Sequence, residues 1–287
     1  MEMKVDKKPS TLTKEKVIYY KKSQYNQIIV TQKGNLITLR SPYRTKQSQI
    51  DTANLIYPCL EYVKNILLSL AFNPFAKSIL LIGLGGGSIA NALALMFNNA
   101  EIAIVEIDKE ILYIAKEYFS FKENPQFSIY IEDGAEFIKK HHDKLYDIII
   151  LDAYLGVTQP IPLTAKEFYL NASKKMSKDA VLIANLVTSK EKHFSTLIST
   201  IGKVFKHLWI LDCDRTKNAV VIAGNMQKPL SNFDLSYNAC LIKDKLPFNA
   251  DTEPIEDKVQ RPPLSSRLYW RLCRAVQKHI PLIFTLY

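Results

Sequence analysis

The sequence predicts an α/β protein: a parallel sheet wound on both sides by helices and closed by an antiparallel hairpin, behind a small N-terminal β-domain. Three observations predict it. Five apolar runs, each too short for a helix, are each followed by a stretch of helical period from residue 78 onward. Two further runs are separated by only four residues, Asp214 to Lys217. A glycine-rich segment sits directly between the first of the five runs and the helix after it.

Residues 1–52 are read as an N-terminal segment and a small antiparallel sheet. VIYY (17–20), QIIV (27–30) and LITLR (36–40) are β-branched or aromatic and are separated by polar stretches that include the turn signal Lys33-Gly34-Asn35. From about Asp51 to Phe72, Leu55, Ile56, Cys59, Leu60, Val63, Leu67 and Leu70 recur at three- and four-residue intervals, and Asn73-Pro74 ends the run. That spacing predicts a helix leading into a second domain over 53–230. The five buried strands of this domain are SILLIG (78–83), EIAIVE (101–106), FSIYIE (127–132), YDIIILD (146–152) and AVLIANL (180–186). HLWILDC (207–213) and NAVVIAG (218–224) form the closing hairpin. Five parallel units closed in this way resemble the S-adenosylmethionine-dependent methyltransferase class, a Rossmann-like sheet, more than a dinucleotide dehydrogenase.

Composition bounds the function. The chain has 287 residues, 47% of them hydrophobic, enough for a substantial core. No stretch approaches the roughly 18 consecutive apolar residues of a membrane span, and the first residues lack the apolar run of a signal peptide, so a cytoplasmic protein is expected. The cysteines show no CxxC spacing and no accompanying histidines, so no metal is expected. The net charge of +10 is carried by the ends: residues 1–22 hold seven Lys against three acids, and residues 258–287 hold six Lys or Arg and no acid. The body is neutral, which argues against nucleic acid as a partner.

The site is expected at the carboxyl edge of the sheet. Gly83, Gly85 and Gly87, in Gly83-Leu84-Gly85-Gly86-Gly87-Ser88, permit a tight turn and bring a ligand against the backbone at a helix N-terminus. Glu106 ends the second strand 23 residues beyond Gly83, where a carboxylate can accept both hydroxyls of a ribose. Asp133-Gly134 ends the third strand, where Asp133 can accept from an adenine amino group, and Asp152 ends the fourth. Each acid taken alone is equally a helix N-cap or a loop residue, and the glycines alone a structural turn. The set together points to a nucleoside.

These blocks, SILLIGLGGGSIANAL, IVEIDKEILYIAKEYF, IEDGAEFIKK and YDIIILDAY, resemble in order and spacing the spermidine and spermine synthases, the polyamine aminopropyltransferases. The resemblance covers roughly residues 25–225. It implies decarboxylated S-adenosylmethionine as co-substrate, with Glu106 on the ribose, Asp133 on the adenine, Gln47 on the thioether side and Asp152 facing the attacking amine. A homodimer and a small-molecule amine acceptor are implied as well. The match departs from the family at the acceptor half. Gly86 stands where the glycine loop carries an Asp, Leu155 where a second Asp follows Asp152, and Asn54-Leu55-Ile56-Tyr57-Pro58 offers no acid where a Tyr-His-Glu element belongs. Each ammonium of a doubly charged diamine would be desolvated there without a partner. The sequence therefore looks like a spermidine synthase-like branch with an altered acceptor. Methyl transfer from intact S-adenosylmethionine to another nucleophile, and non-catalytic nucleoside binding, stand as alternatives.

Two further segments attract expectations. Leu155 to Thr164, with Pro160 and Pro162, reads as a lid over the acceptor pocket or as a rigid connection, with Thr164 capping the next helix. The extension 231–287 contains a segment, 265–280, with Arg267, Arg271, Arg274 and Lys278 on one face and Leu268, Leu272, Val276 and Ile280 on the other. Such a helix docks on its own domain or on a sister subunit, or lies on an anionic membrane surface as a peripheral contact. The five histidines read as surface or packing residues.

Overall fold

The computed structural model describes residues 14–41, 45–140, 144–156, 158–189, 191–249 and 258–259. The basic segment 265–280 and the His141-His142 pair lie outside them.

Four strands, β1 (Lys16–Lys22), β2 (Gln27–Lys33), β3 (Leu36–Arg40) and β4 (Lys46–Asp51), form an antiparallel meander in sequence order. β4 is not legible from hydrophobicity, because its sequence is KQSQID. It pairs with β3 from Leu36 opposite Asp51 to Arg40 opposite Lys46, and its buried Gln49 donates to Thr38 Oγ1 at 2.7 Å. A polar side chain is therefore accommodated on this face by a hydrogen bond rather than by apolar packing.

The helix expected from Asp51 to Phe72 is shorter. α1 spans Glu61–Ser69 and continues as a 3-10 turn over Leu70–Phe72, while residues 52–60 form turns and irregular chain. Pro58 is the reason: it has no N–H to donate and disfavours helical geometry at Tyr57. Leu55 and Ile56 are accordingly exposed, and only the apolar positions from Tyr62 onward are buried.

The second sheet has seven strands: β5 (Ser78–Ile82), β6 (Glu101–Glu106), β7 (Phe127–Ile131), β8 (Tyr146–Leu151), β9 (Met176–Val187), β10 (His207–Asp212) and β11 (Asn218–Gly224). Their order is β10-β11-β9-β8-β5-β6-β7. β5 through β9 are parallel to their neighbours among themselves, and β11 pairs antiparallel with both β9 and β10. Alternate residues of one strand enter separate cores. Ile79 and Leu81 pack into the one that includes α1, α2 (Ser88–Met96) and α3 (Lys109–Tyr118), whereas Leu80 and Ile82 pack into the one that includes α4 (Gly134–Lys140), the short α5 (Ile161–Thr164), α6 (Lys166–Lys174) and α7 (Glu191–Gly202). A strand buried on both faces has no polar face, which is why these segments read as continuous apolar runs. Contrary to the sequence expectation, Thr164 does not cap α6: its hydroxyl donates to Ile161 O at 2.9 Å in its own turn, and Ala165 precedes α6 without a side-chain cap. A further helix, α8 (Asn232–Lys243), opens with a capping box made by Ser231 and Asp234.

The chain leaves β5 toward β6 and β7 on one side and returns through β8 to β9 on the other, so β5 and β8 flank a topological switch point. Ile82 is in register with Val105 on one side and Leu151 on the other, and Leu151 with Ala184. The next residue of each strand, Asn185, Asp152, Gly83 and Glu106, therefore falls in one row across the carboxyl edge.

The core beneath this edge is anchored by Trp209, 1% exposed, whose ring meets Phe72 at 4.9 Å edge-on. Trp209→Ala is expected to cost about 3–5 kcal/mol, read as a lower denaturation midpoint at unchanged secondary structure by circular dichroism.

Candidate functional site

The row of edge residues opens into a cleft of 1670 Å³ whose walls come from both sheets. The volume exceeds the 300–1,000 Å³ range of single small-ligand pockets, which leaves room for a nucleoside and a second ligand together. Gln47 and Ser48 of β4, Tyr62 of α1, Gly83 and Gly85 of the glycine loop, Glu106, Asp133, Gly134, Asp152 and Asn185 all line it.

At one end of the row the glycine loop is held by two carriers. Glu106, buried at 8% exposure, accepts from Leu84 N with Oε2 and from Asp108 N with Oε1, both at 3.0 Å. Burial pushes its carboxyl up, and the two backbone donors work against that shift. From the other sheet, Ser48 Oγ accepts from Gly86 N at 2.9 Å. Gly83 has φ of +97°, and a Cβ there would lie 2.3 Å from the Asp152 carbonyl oxygen. Gly87 is set behind the cleft wall: it stands at the N-cap of α2 with φ of +79°, against the Phe121 ring.

Asp133 caps α4, accepting with Oδ1 from Ala135 N at 2.8 Å and Glu136 N at 3.1 Å. The two readings of this residue coexist, because Oδ2 stays out of the cap and the residue lines the cleft. Gly134 packs the start of α4 on β5, where a Cβ would meet Ile82 Cγ2 at 2.5 Å.

The other end centres on Asp152. Its Oδ1 accepts from Asn185 Nδ2 at 2.8 Å, and Asn185 Oδ1 in turn accepts from Asn218 Nδ2 at 2.9 Å. The Tyr62 hydroxyl donates to Gln47 O at 2.8 Å and also reaches the Asp152 carboxyl. Desolvation in the cleft pushes Asp152 up to about 7, with the Asn185 and Tyr62 contacts opposing it. Tyr154 donates to the Asn185 carbonyl at 2.7 Å. Sequence reasoning missed Tyr62, Asn185 and Asn218. Asn185 carried a signal, since a polar residue inside AVLIANL must find partners when buried.

Gln47 points across to the loop after β8, donating from Nε2 to Gly156 O at 3.0 Å, while Asn26 Oδ1 accepts from Gly156 N at 3.0 Å. Asn26 sits in the β1-β2 turn, where its carbonyl accepts from Ser23 N at 2.8 Å, and the Ser23 hydroxyl donates to Asp108. On the adjacent strand Lys21 pairs with Glu110 at 2.5 Å. The N-terminal sheet thus contacts the start of α3 and the loop after β8 at once. Leu155 and Thr158 exchange backbone hydrogen bonds of 3.0 and 3.3 Å, which makes this part of the connection a tight turn. Among the described residues, no three His, Cys, Asp or Glu side chains gather as metal ligands would, and no helix is long and apolar enough to cross a membrane.

The seven-stranded order, the glycine loop at the switch point and the carboxylates along one edge define an α/β protein of the S-adenosylmethionine-dependent methyltransferase-like fold. Residues 62–211 match the family model of the spermine/spermidine synthase domain. The polyamine aminopropyltransferase of Vibrio vulnificus is 32% identical over 207 residues, 69% of each chain. The eEF1A lysine and N-terminal methyltransferase of Xenopus laevis is 25% identical over 218 residues, which are 70% of this chain and 32% of that protein. The crystal structure of a probable spermidine synthase from Corynebacterium glutamicum shares the fold, with a TM-score of 0.68 at 17% identity over 95% of this chain and 99% of that one. The chain belongs to the spermine/spermidine synthase family.

Two outcomes follow from the site's geometry. Gly83→Ala is expected to abolish nucleoside binding and lower the melting temperature, since both the positive φ and the 2.3 Å approach must be relieved; calorimetry and thermal denaturation check it. Asp152 gives a pH signature. Its folded pKa of about 7 lies above the ordinary 3.8, so between these values the folded state holds the extra proton and stability falls as pH rises. Asp152→Asn removes that cost. Its stability advantage over the wild type should grow from about pH 4 to pH 7, reaching on the order of a few kcal/mol, in denaturant titrations across that range.

Proposed function

We propose that the protein transfers an aminopropyl group from decarboxylated S-adenosylmethionine to an amine acceptor at a site altered from that of a diamine. The observation that carries this reading is a carboxyl group, Asp152, held near neutrality in the row that continues to Gly83 and Glu106. Membership of the family and the similarity to a polyamine aminopropyltransferase support the same reaction class.

The chain's residues divide the work. Glu106 and Asp133 hold the ribose and adenine, and the glycine backbone admits the nucleoside closely because no Cβ stands in the way. Gln47 lies on the thioether side. An amine of pKa near 10.4 is protonated at neutral pH, so a base must take its proton before it can attack. Asp152 is placed for that: ionised, it accepts the proton. The amine nitrogen then forms its bond to the methylene carbon, the carbon–sulfur bond breaks, and its electron pair neutralises the sulfonium as methylthioadenosine leaves. Asn185, Tyr62 and Asn218 act as positioning residues that fix the carboxyl group and set its pKa.

A second reading, methyl transfer from intact S-adenosylmethionine, is favoured by one feature. Gly86 occupies the loop position where an Asp would repel the methionine carboxylate, and a methyltransferase is among the relatives.

Calorimetric titration with decarboxylated and intact S-adenosylmethionine separates the two. The proposal expects the decarboxylated donor to bind at least tenfold tighter and Asp133→Ala to weaken both. Tighter binding of the intact donor refutes it in favour of methyl transfer. Asp152→Asn should retain donor affinity while lowering turnover about 10²- to 10⁴-fold. Asn185→Ala removes a hydrogen bond that favours the charged form, so the acidic limb of the rate profile should move above pH 7.

A further inference from the structure

Part of the cleft that Asp152 lines is cationic, where a diamine would require acids. Two elements bring the charges together. On α1, Glu61 accepts from Asp214 N at 3.0 Å and Arg215 N at 2.8 Å, and Asn65 donates to Asp212 O at 3.0 Å. The start of α1 is thereby fixed against the β10-β11 loop. Lys64 lies on this stretch of α1, and Arg215 and Lys217 lie in the loop; all three line the cleft. Lys46 of β4 joins them, since Lys46 and Lys64 both act on the cleft residue Cys59.

The counter-charges are few. Both oxygens of Glu61 are occupied by backbone N–H groups. Asp214 lines the cleft too, exposed beside the equally exposed Arg215, and offsets one of these cations, while Asp51 acts on Cys59 from outside the cleft lining. Glu106, Glu132 and Asp133 belong to the nucleoside end, where Glu132 pairs with Lys140. Among the described residues, Lys64, Arg215 and Lys217 make no ion pair. The Lys64 ammonium instead meets the Tyr57 hydroxyl at 2.6 Å and lies 4.3 Å from the centre of that ring and 5.6 Å from that of Phe248. Aromatic contacts of this kind stabilise a cation while leaving it able to receive an anion.

Lys64 and Lys217 lie on the two segments whose neighbouring residues hold Asp152. Tyr62, two residues before Lys64, reaches its carboxyl, and Asn218, next to Lys217, is linked to it through Asn185. We propose that the acceptor carries, a few bonds from its reacting amine, an anionic group (carboxylate or phosphate) that Lys64, Arg215 and Lys217 receive in this part of the cleft. This rests on the reading of the cleft as an aminopropyl-transfer site and names its acceptor class. A second ammonium in the same place would meet Lys64, Arg215 and Lys217 against the Asp214 carboxylate and a Glu61 already held by backbone donors.

The test is a matched series titrated by calorimetry into the full chain saturated with methylthioadenosine: putrescine, 1-aminobutane, 4-aminobutanoate and 3-aminopropyl phosphate. At least one of the two anionic amines is expected to bind tenfold or more tighter than putrescine, with 1-aminobutane between them. The tighter of the two identifies carboxylate or phosphate as the group received. The preference should disappear in Lys64→Gln/Arg215→Gln, whose methylthioadenosine affinity stays unchanged. Putrescine binding as tightly as both anionic amines, or a preference that survives the double substitution, overturns the proposal. Failure of methylthioadenosine to bind counts against the aminopropyl-transfer reading alone; the series is then titrated into the free chain, where the same preference, or its absence, decides the acceptor class.

Discussion

The contact on which the site depends is the one between Gly83 and the backbone of Asp152. A Cβ at residue 83 would lie 2.3 Å from the Asp152 carbonyl oxygen, and φ there is +97°. Only glycine satisfies both conditions without strain. Because β5 and β8 can approach this closely, the glycine loop and the strand end that carries Asp152 become neighbours. The proposed in-line displacement needs its two reactants held within contact distance, and the spacing of the two segments proposed to hold them is set by backbone packing rather than by mobile side chains.

Around that contact the second sheet acts as a brace. Ser48 holds Gly86, Gln47 and Asn26 hold Gly156, and Ser23 and Lys21 hold the start of α3 through Asp108 and Glu110. These contacts join the glycine loop, the start of α3 and the loop after β8 to the same small sheet. The small sheet therefore contributes wall and bracing to a cleft whose row of edge residues lies in the larger one.

Most of this arrangement was legible in the sequence where hydrophobicity decides structure. Strands buried on both faces announce themselves as apolar runs, and the glycine loop with its downstream acids follows from the geometry of a strand-to-helix turn. The elements that escaped are those made by hydrogen bonds. β4 has one aliphatic residue, Ile50, and is held by pairing with β3. α1 starts ten residues late because a single proline outweighs a helical spacing of apolar residues. Tyr62 and Asn185, and Asn218 through Asn185, meet Asp152 only through the sheet register and the packing of α1, which no single strand encodes. The loss of acids from the acceptor half was visible by position; the cations gathered in the cleft were not, since Lys64 and Lys217 are 153 residues apart in the chain.

The by-product of turnover tests the central claim most directly, because it identifies the bond that breaks whatever the acceptor. The protein is incubated with decarboxylated and intact S-adenosylmethionine together and a mixture of amines, and nucleosides are quantified by mass spectrometry. Aminopropyl transfer predicts accumulation of methylthioadenosine that is lost in Asp152→Asn. Accumulation of S-adenosylhomocysteine instead, or of methylthioadenosine at equal rate in the variant, would contradict it.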